Sequence, residues 1–366
     1  MTVKVLDRRA RNRALLARQF LLERGTVSPL TVIARLVGMQ AQTPRSPYTA
    51  LWSRLSGFDP MTLSRAIERR SCVRIALMRS TIHLVTAADA LLLRPLIVPI
   101  IMRELTNPTW ARPLAGLDLE PVAAEARRLL ELQPRTPAQL GAALADTWPD
   151  REARALAHAA RSLLPLVQIP PRGLWDGAGS TRLTTAEHWL GRPVRTDSSW
   201  DDVAWRYLAA FGPATAADLV AWCRVTGLAE VIARLRPRLT VLHDENGKEL
   251  FDVPRSPRPP ANTEAPPRFL PDYDNVLLGH ADRRHVIQDA HRKALQSVNG
   301  VLPGTVLVDG FVAAQWAIER DKSLARLVVT CLEPLKGRHR EAVTDEGAAL
   351  LGLLAPDATK QEIVLR

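Results

Sequence analysis

Apolar residues recur at helical spacing along the opening segment. Leu15, Leu16, Phe20 and Leu22 stripe one face within Asp7–Glu23, the period of an amphipathic helix. Ser28-Pro29 then supplies a start signal: a hydroxyl to accept a free amide, and a proline preset for the opening turn. Val32, Ile33, Leu36 and Val37 form the next apolar face. Ser46-Pro47 repeats the signal, and Ala50, Leu51, Trp52 and Leu55 carry a third helix to Gly57. A short helix follows at Met61–Arg69. Val73–Val85 then reads as strand–turn–strand. Helices followed by a hairpin describe a winged helix-turn-helix.

The order recurs. Thr136-Pro137-Ala138-Gln139-Leu140 starts a helix, Asp150–Leu164 gives another, and Leu166–Leu183 reads as a hairpin around Gly173, Gly177 and Gly179. A third round begins at Asp201–Phe211. Thr215 caps a helix to Cys223, Leu228–Leu235 follows, and Leu239–Val253 turns at Glu245-Asn246-Gly247, a strong hairpin signal. Element order repeats, not residue identity. Arg255–Pro267 is Pro-rich and reads as a linker. Beyond it, Val306–Trp316 is a hairpin with a tight Asp309-Gly310 turn, Leu327–Leu332 a strand, Arg338–Leu354 a closing helix and Ile363–Leu365 a last strand. The expected fold is α+β: three tandem winged helix-turn-helix modules (1–93, 94–198 and 199–260) followed by a C-terminal β-barrel or small β-rich domain (261–366).

Composition adds a partner class. The 366 residues carry a formal charge of +11 and a pI of about 10.3, which points to a polyanion, most simply nucleic acid. Arginine dominates the basic residues, and a GC-rich coding bias would enrich it too, so the charge alone is a weaker signal than its size suggests. Cys72, Cys223 and Cys331 are far apart; they indicate neither a zinc site nor a disulfide framework and fit a reducing cytoplasm. Met1–Arg9 lacks a signal-peptide core. The longest apolar run, Ala87–Met102, is interrupted by Asp89, Arg94, Pro95 and Pro99, too broken to span a membrane. Asp272, Asp274 and Asp282 are irregularly spaced and read as caps and ion pairs rather than a magnesium site, and His280 and His285 complete no metal set. No metal or cofactor is expected.

The candidate chemistry centres on Gln40-Ala41-Gln42. Pro44 biases Thr43 toward an extended conformation, and residues two apart in an extended chain share a side. Two neutral amides thus face one space. They can hold a water or read a base edge, but neither titrates near neutral pH. Capping of a helix terminus is the competing reading. By the same alternation, Arg79 and His83 fall on one side of one strand, placed to contact phosphate or to pack a wing, and Arg74 has similar status. Arg283, Arg284, His291, Arg292 and Lys293 form a basic cluster before Asn299-Gly300, which in a hairpin could touch a duplex or could be an ordinary solvated charge run.

Along nearly its whole length the chain resembles the AlkZ-like winged-helix DNA glycosylases, the group containing the azinomycin self-resistance enzyme. The resemblance rests on Leu6-Asp7-Arg8-Arg9-Ala10-Arg11-Asn12-Arg13-Ala14, Gly38–Gln42, Leu77–Val85, Phe211-Gly212-Pro213-Ala214-Thr215, Leu278–Arg283 and Val306-Leu307-Val308-Asp309-Gly310 in that order. It implies winged helices and a barrel around a DNA channel, with a glutamine–apolar–glutamine motif, here Gln40 and Gln42, as the catalytic centre. Another branch carries an acidic residue at the second position, so Gln42 resembles the self-resistance branch, which is associated with bulky alkylated or cross-linked purines. Ser80 and Ile82 depart from an expected Gly and Leu. An N7-alkylated purine is cationic and leaves readily, which makes amides chemically adequate. Lysine is scarce and none adjoins the motif, so the resemblance implies a monofunctional enzyme that leaves an abasic site in double-stranded DNA and acts without a partner subunit. The competing classes are a winged-helix transcription regulator and a catalytically silent damage-binding module.

Overall fold

The computed structural model describes residues 5–295, 302–321 and 323–366. After a short strand, β1 (Val5–Leu6), the chain enters α1 (Arg8–Arg18), capped by Asp7, whose carboxylate accepts the Ala10 amide. This helix ends before Glu23 because Phe20 turns the chain at a positive φ of 58°. Ser28 caps α2 (Pro29–Arg35) as expected, accepting from the Thr31 amide. There follow β2 (Met39–Gln40), α3 (Ser46–Arg54), α4 (Pro60–Glu68), β3 (Cys72–Ala76) and β4 (Ile82–Thr86). Ser46 is not a cap: Arg45 occupies that position without a side-chain bond, and the Ser46 hydroxyl instead donates to Asp272.

The broken apolar run is one continuous helix, α5 (Ala87–Arg103), with Pro95 and Pro99 inside it. The expected boundary at 93/94 falls within it. Next come α6 (Pro108–Ala111), α7 (Leu119–Leu132), α8 (Pro137–Ala145), α9 (Ala153–Leu163), β5 (Leu166–Gln168), β6 (Leu183–Thr185) and α10 (Ala186–Leu190). Thr136 and Gln139 close a reciprocal capping box on α8. Val122, Leu130, Leu140, Leu144 and Leu156 give this segment a core of its own. The third round is α11 (Trp200–Phe211), α12 (Ala216–Cys223), α13 (Leu228–Leu235), β7 (Thr240–Asp244) and β8 (Glu249–Asp252).

The hairpins do not stand alone. Those of the first two segments merge into one five-stranded sheet, β2-β4-β3-β5-β6, joined where Arg74 pairs Gln168 and Ile75 pairs Val167. That central place explains why every residue of β3 is buried. The third hairpin instead pairs with the N-terminus, β1 running parallel to β7.

The C-terminal third holds β9 (Arg268–Leu270), α14 (Asn275–Leu278), α15 (Asp289–Leu295), β10 (Gly304–Val308), β11 (Phe311–Asp321), β12 (Leu324–Cys331), α16 (Arg338–Leu354) and β13 (Lys360–Leu365). Its strands are ordered β13-β12-β11-β10-β9, an open sheet among the described residues. β12 and β13 are parallel, a pairing that needs a crossover, and α16 supplies it. Val343, Leu350 and Leu351 pack that helix on Phe269, Val306 and Leu327. The whole is a mixed α+β fold, and no helix among the described residues is long and apolar enough to cross a membrane.

The Pro-rich stretch is no free linker. Arg9, Arg13 and Arg18 on α1 donate to the carbonyls of Ala261, Thr263 and Pro257. Arg18 also forms a fully buried two-pronged pair with Asp252 at 2.7 and 2.8 Å, while Arg9 and Arg13 converge on Asp309. Charged α1 is thereby the tie between the third segment and the C-terminal sheet.

Candidate active site around the paired glutamines

The backbone delivers Gln40 by a left-handed turn. Val37 and Gly38 take positive φ of 54° and 100°, reversing the chain from α2 into β2. A Cβ on Gly38 would meet Val85 Cγ1 at 2.5 Å, so the close approach of β2 to its neighbour requires glycine here. Gln40 then sits opposite His83 on β4. The flanking backbone is held from several elements. Asn275 Nδ2 donates to the Gly38 carbonyl at 2.7 Å, Ala41 N donates to the Ile82 carbonyl at 2.7 Å, and Arg74 Nη2 donates to the Ala41 carbonyl at 2.9 Å. Beyond the motif, Thr43 and Ser46 both donate to Asp272.

The two amides turn toward the same segment but differ in exposure. Gln40 is 7% exposed, and its Oε1 accepts from Arg79 Nη2 at 2.7 Å. Gln42 is exposed, and its Oε1 accepts weakly from the Ile82 amide at 3.4 Å. Guanidinium only donates, so the Gln40 carboxamide has a fixed sense: oxygen toward Arg79, nitrogen free to donate elsewhere.

His83 is fully buried, and its Nδ1 lies 2.9 Å from the Thr81 carbonyl. Burial first, then the Arg79 charge, lowers its pKa to about 3. It is therefore neutral. A carbonyl partner assigns the proton to Nδ1, leaving Nε2 to accept from Arg79 Nη2 at 3.3 Å. Burial pulls the Arg79 guanidinium down to about 10, with Arg283 and Arg224 adding repulsion against an opposing pull from Cys223; it stays charged at neutral pH. Its other nitrogen donates to the Trp222 carbonyl.

Arg79 and His83 do meet, though not by strand alternation. Arg79 lies in the helical turn Met78–Ser80, before β4 begins, and Arg79 and Ser80 have φ of 59° and 56°. The glycine expected at position 80 would adopt that conformation freely.

Arg74, read from the sequence as either a phosphate contact or a packing residue, is only 2% exposed and grips the motif's backbone. Its Nε and Nη1 find no partner among the described residues, and burial, then the Arg172 charge, lowers it to about 10. The downstream basic cluster separates. Arg283 is partly buried and donates to the His280 carbonyl at 3.3 Å, whereas Arg284 is paired with Asp282 at 2.7 Å. His291, Arg292 and Lys293 lie on helix α15, not in a hairpin; Asn299-Gly300 falls outside the described residues. His291 is buried, its ring nitrogens facing the Val312 carbonyl at 3.2 Å and Glu333 at 3.0 Å. Arg292 approaches Asp289 at 3.8 Å, and Lys293 is exposed. His280 and His285 are buried edge to face, 4.5 Å apart. Sequence reasoning missed Asn275 and Trp222, whose contacts to the site join positions far apart in the chain and leave no local signal. A cleft of about 600 Å³ borders Arg79, with Arg103 and Arg224 in its walls.

A family model described as DNA glycosylase AlkZ-like matches residues 33–353. No curated protein matches the chain. Among solved structures, the Streptomyces sahachiroi DNA glycosylase AlkZ superposes with a TM-score of 0.80 at 21% sequence identity, over 99% of this chain and 99% of that one.

Proposed function

Because the chain belongs to the AlkZ-like DNA glycosylase family, we propose that it is a monofunctional glycosylase that hydrolyses the N-glycosidic bond of N7-alkylated purines in duplex DNA. The observation that carries this reading is the Gln40 amide, locked by Arg79 at 2.7 Å next to the exposed amide of Gln42. An N7-alkylated purine is already cationic and departs without a strong general acid. The demand falls on the sugar, where C1′ develops positive charge and water must attack.

Gln40 and Gln42 are the catalytic pair in this reading. Gln40, its oxygen committed to Arg79, donates through Nε2 to the water oxygen. Gln42 Oε1 accepts a hydrogen bond from that water, giving up a weak backbone bond to do so. The contribution is orientation and dipole stabilisation rather than base catalysis. The neutral, buried His83 takes no proton; it helps aim Arg79. Arg103 and Arg224 in the adjoining cleft supply positive charge for the DNA backbone, as do Arg283, Arg284, Arg292 and Lys293 where they are exposed. The repeated helix–hairpin order is read as three tandem winged-helix modules lining a duplex. A cross-link bridging two N7 atoms would be released by the same hydrolysis at one end. No cofactor or second subunit enters this scheme.

The test is excision of N7-methylguanine from duplex DNA, read as alkali-labile breaks. Wild type should release the base, and Gln40→Ala with Gln42→Ala should abolish release. Undiminished release by the double variant sinks the assignment of the pair.

A further inference from the structure

A second cavity lies just beyond the glutamine motif, between α3 and the C-terminal sheet. It measures about 340 Å³, within the range of small-ligand sites, about 300–1,000 Å³. Thr43, the residue after Gln42, lines it together with Ser46 of α3. Trp316 and Ile318 line it from β11; two apart on a strand, they share one face. Leu354, the last residue of α16, extends the apolar wall. The Trp316 indole is fixed in place. Its Nε1 donates to the Leu270 carbonyl at 2.8 Å, and Phe269 meets it edge-on at 6.1 Å. A Cβ on Gly304 would strike the ring at 2.6 Å, so glycine lets β10 back the indole.

The polar centre of this cavity is Asp272. One oxygen accepts from Thr43 Oγ1 at 2.6 Å and the other from the Ser46 hydroxyl. A carboxylate has about four acceptor positions, so each oxygen keeps one for a ligand, and the side chain is half-buried rather than sealed. Both bonds come from neutral hydroxyls and leave its charge in place. The two arginines of the lining are committed elsewhere. Arg45 donates to the Trp175 carbonyl and covers the Trp175 ring, and Arg320 pairs with Asp357. The cavity thus offers a fixed indole and an anionic pair of acceptors. It suits a flat cation with two adjacent N–H donors. N7-alkylguanine has all three properties. N1–H and the 2-amino group are neighbouring donors on one edge, and the charge left by alkylation favours both a tryptophan face and a carboxylate. Adenine presents one donor beside an acceptor on that edge, which a carboxylate repels.

We propose that this cavity binds the guanine of the adduct, stacked on Trp316 with N1–H and the 2-amino group donating to Asp272, and that Asp272 is a specificity-determining residue for guanine. The role in excision rests on the glycosylase reading above; binding of the base does not. Reading that edge requires the guanine to leave its pair with cytosine. N7 lies on the opposite side of the purine, so the alkyl substituent faces away from Asp272 and the carboxylate does not limit its size. Thr43 and Ser46 position the carboxylate. The peptide link from Thr43 to Gln42 places base recognition beside the amides that handle the water.

Two measurements separate the parts. N7-methylguanosine monophosphate, followed by ligand-observed NMR titration, should bind wild type. N7-methylinosine monophosphate, which lacks only the 2-amino group, should bind at least tenfold more weakly. Asp272→Asn, which removes one acceptor, and Ile318→Phe, which fills the cavity from β11 and leaves Asp272 unchanged, should each weaken binding of the guanosine nucleotide at least tenfold. No binding by wild type, equal binding of the two nucleotides, or full-strength binding by either variant overturns the cavity assignment. Excision is then compared for N7-methylguanine and N7-methylhypoxanthine in the same duplex, each corrected for spontaneous release. Wild type should favour guanine at least tenfold in kcat/KM, and Asp272→Asn should abolish the preference. A residue that merely held Thr43 and Ser46 would slow both bases equally, so an unchanged ratio, or a wild type without preference, overturns the role in excision. If wild type releases neither base, the glycosylase reading fails, and the nucleotide titration still decides the cavity.

Discussion

Arg79 and Gln40 meet at 2.7 Å through a guanidinium nitrogen and a carboxamide oxygen. The contact decides which end of the amide faces away. It predicts that Arg79→Met, which keeps bulk and removes donors, frees the carboxamide to rotate. Excision should fall roughly tenfold to hundredfold in kcat, with KM nearly unchanged, as expected for lost orientation. Single-turnover kinetics with excess enzyme checks this. A change confined to KM would instead make Arg79 a binding residue.

Acid should destabilise the fold through its buried histidines. Folded His83 and His158 titrate at about 3 and about 4, and unfolded histidine near 6.5. The unfolded chain therefore binds more protons in that window. Stability is full above about pH 6.5 and declines as pH falls toward the folded values. Thermal denaturation from pH 7 to pH 4 should show a falling Tm, and His83→Gln should flatten the slope. Parallel slopes for variant and wild type would exclude His83 as the source.

Removing Asp252 should be costly. It is fully buried against Arg18, and Arg258 also donates to it. Asp252→Ala leaves a buried guanidinium uncompensated, at a cost of about 3–5 kcal/mol. Asp197→Ala, which breaks an exposed pair with Arg195, is the control and should barely move the urea midpoint. Similar midpoints for the two variants would refute the tie through α1.

Gly310 has φ of +83°, and a Cβ there would meet Arg13 Nη1 at 2.5 Å. Gly310→Ala should destabilise by about 1–3 kcal/mol from backbone strain alone. The lowered Tm should be accompanied by slower excision if displacement of α1 reaches the site.

What the sequence revealed was mostly local. Ser28, Thr136 and Thr215 each cap the helix that their spacing marks, and Asp309-Gly310 turns its hairpin with both residues at positive φ, as a tight Asp-Gly turn requires. Such signals act within a few residues. The pairing of Arg74 with Gln168 across two hairpins left no mark, because register between distant strands depends on the assembled core. That same pairing buries β3 and turns Arg74 from a surface cation into an internal brace. Gln40 and Gln42 were found as a pair, but their unequal exposure depends on Arg79, whose left-handed turn breaks the alternation assumed for a continuous strand. Pro95 and Pro99 interrupt the apolar pattern without ending α5.

The strapped arginines of α1 set an order of events during synthesis. Arg9 leaves the ribosome with its partner Asp309 still 300 positions away. At translation speeds of about 5–20 residues per second, that is a delay of roughly 15–60 s. Until then Arg9 and Arg13 lack the carboxylate they share, although Arg18 meets Asp252 earlier, so the first helix cannot settle permanently before the last sheet exists. The nascent glutamine motif emerges early yet matures late, and a chain truncated before the C-terminal sheet is expected to carry the whole motif without the packing that holds it.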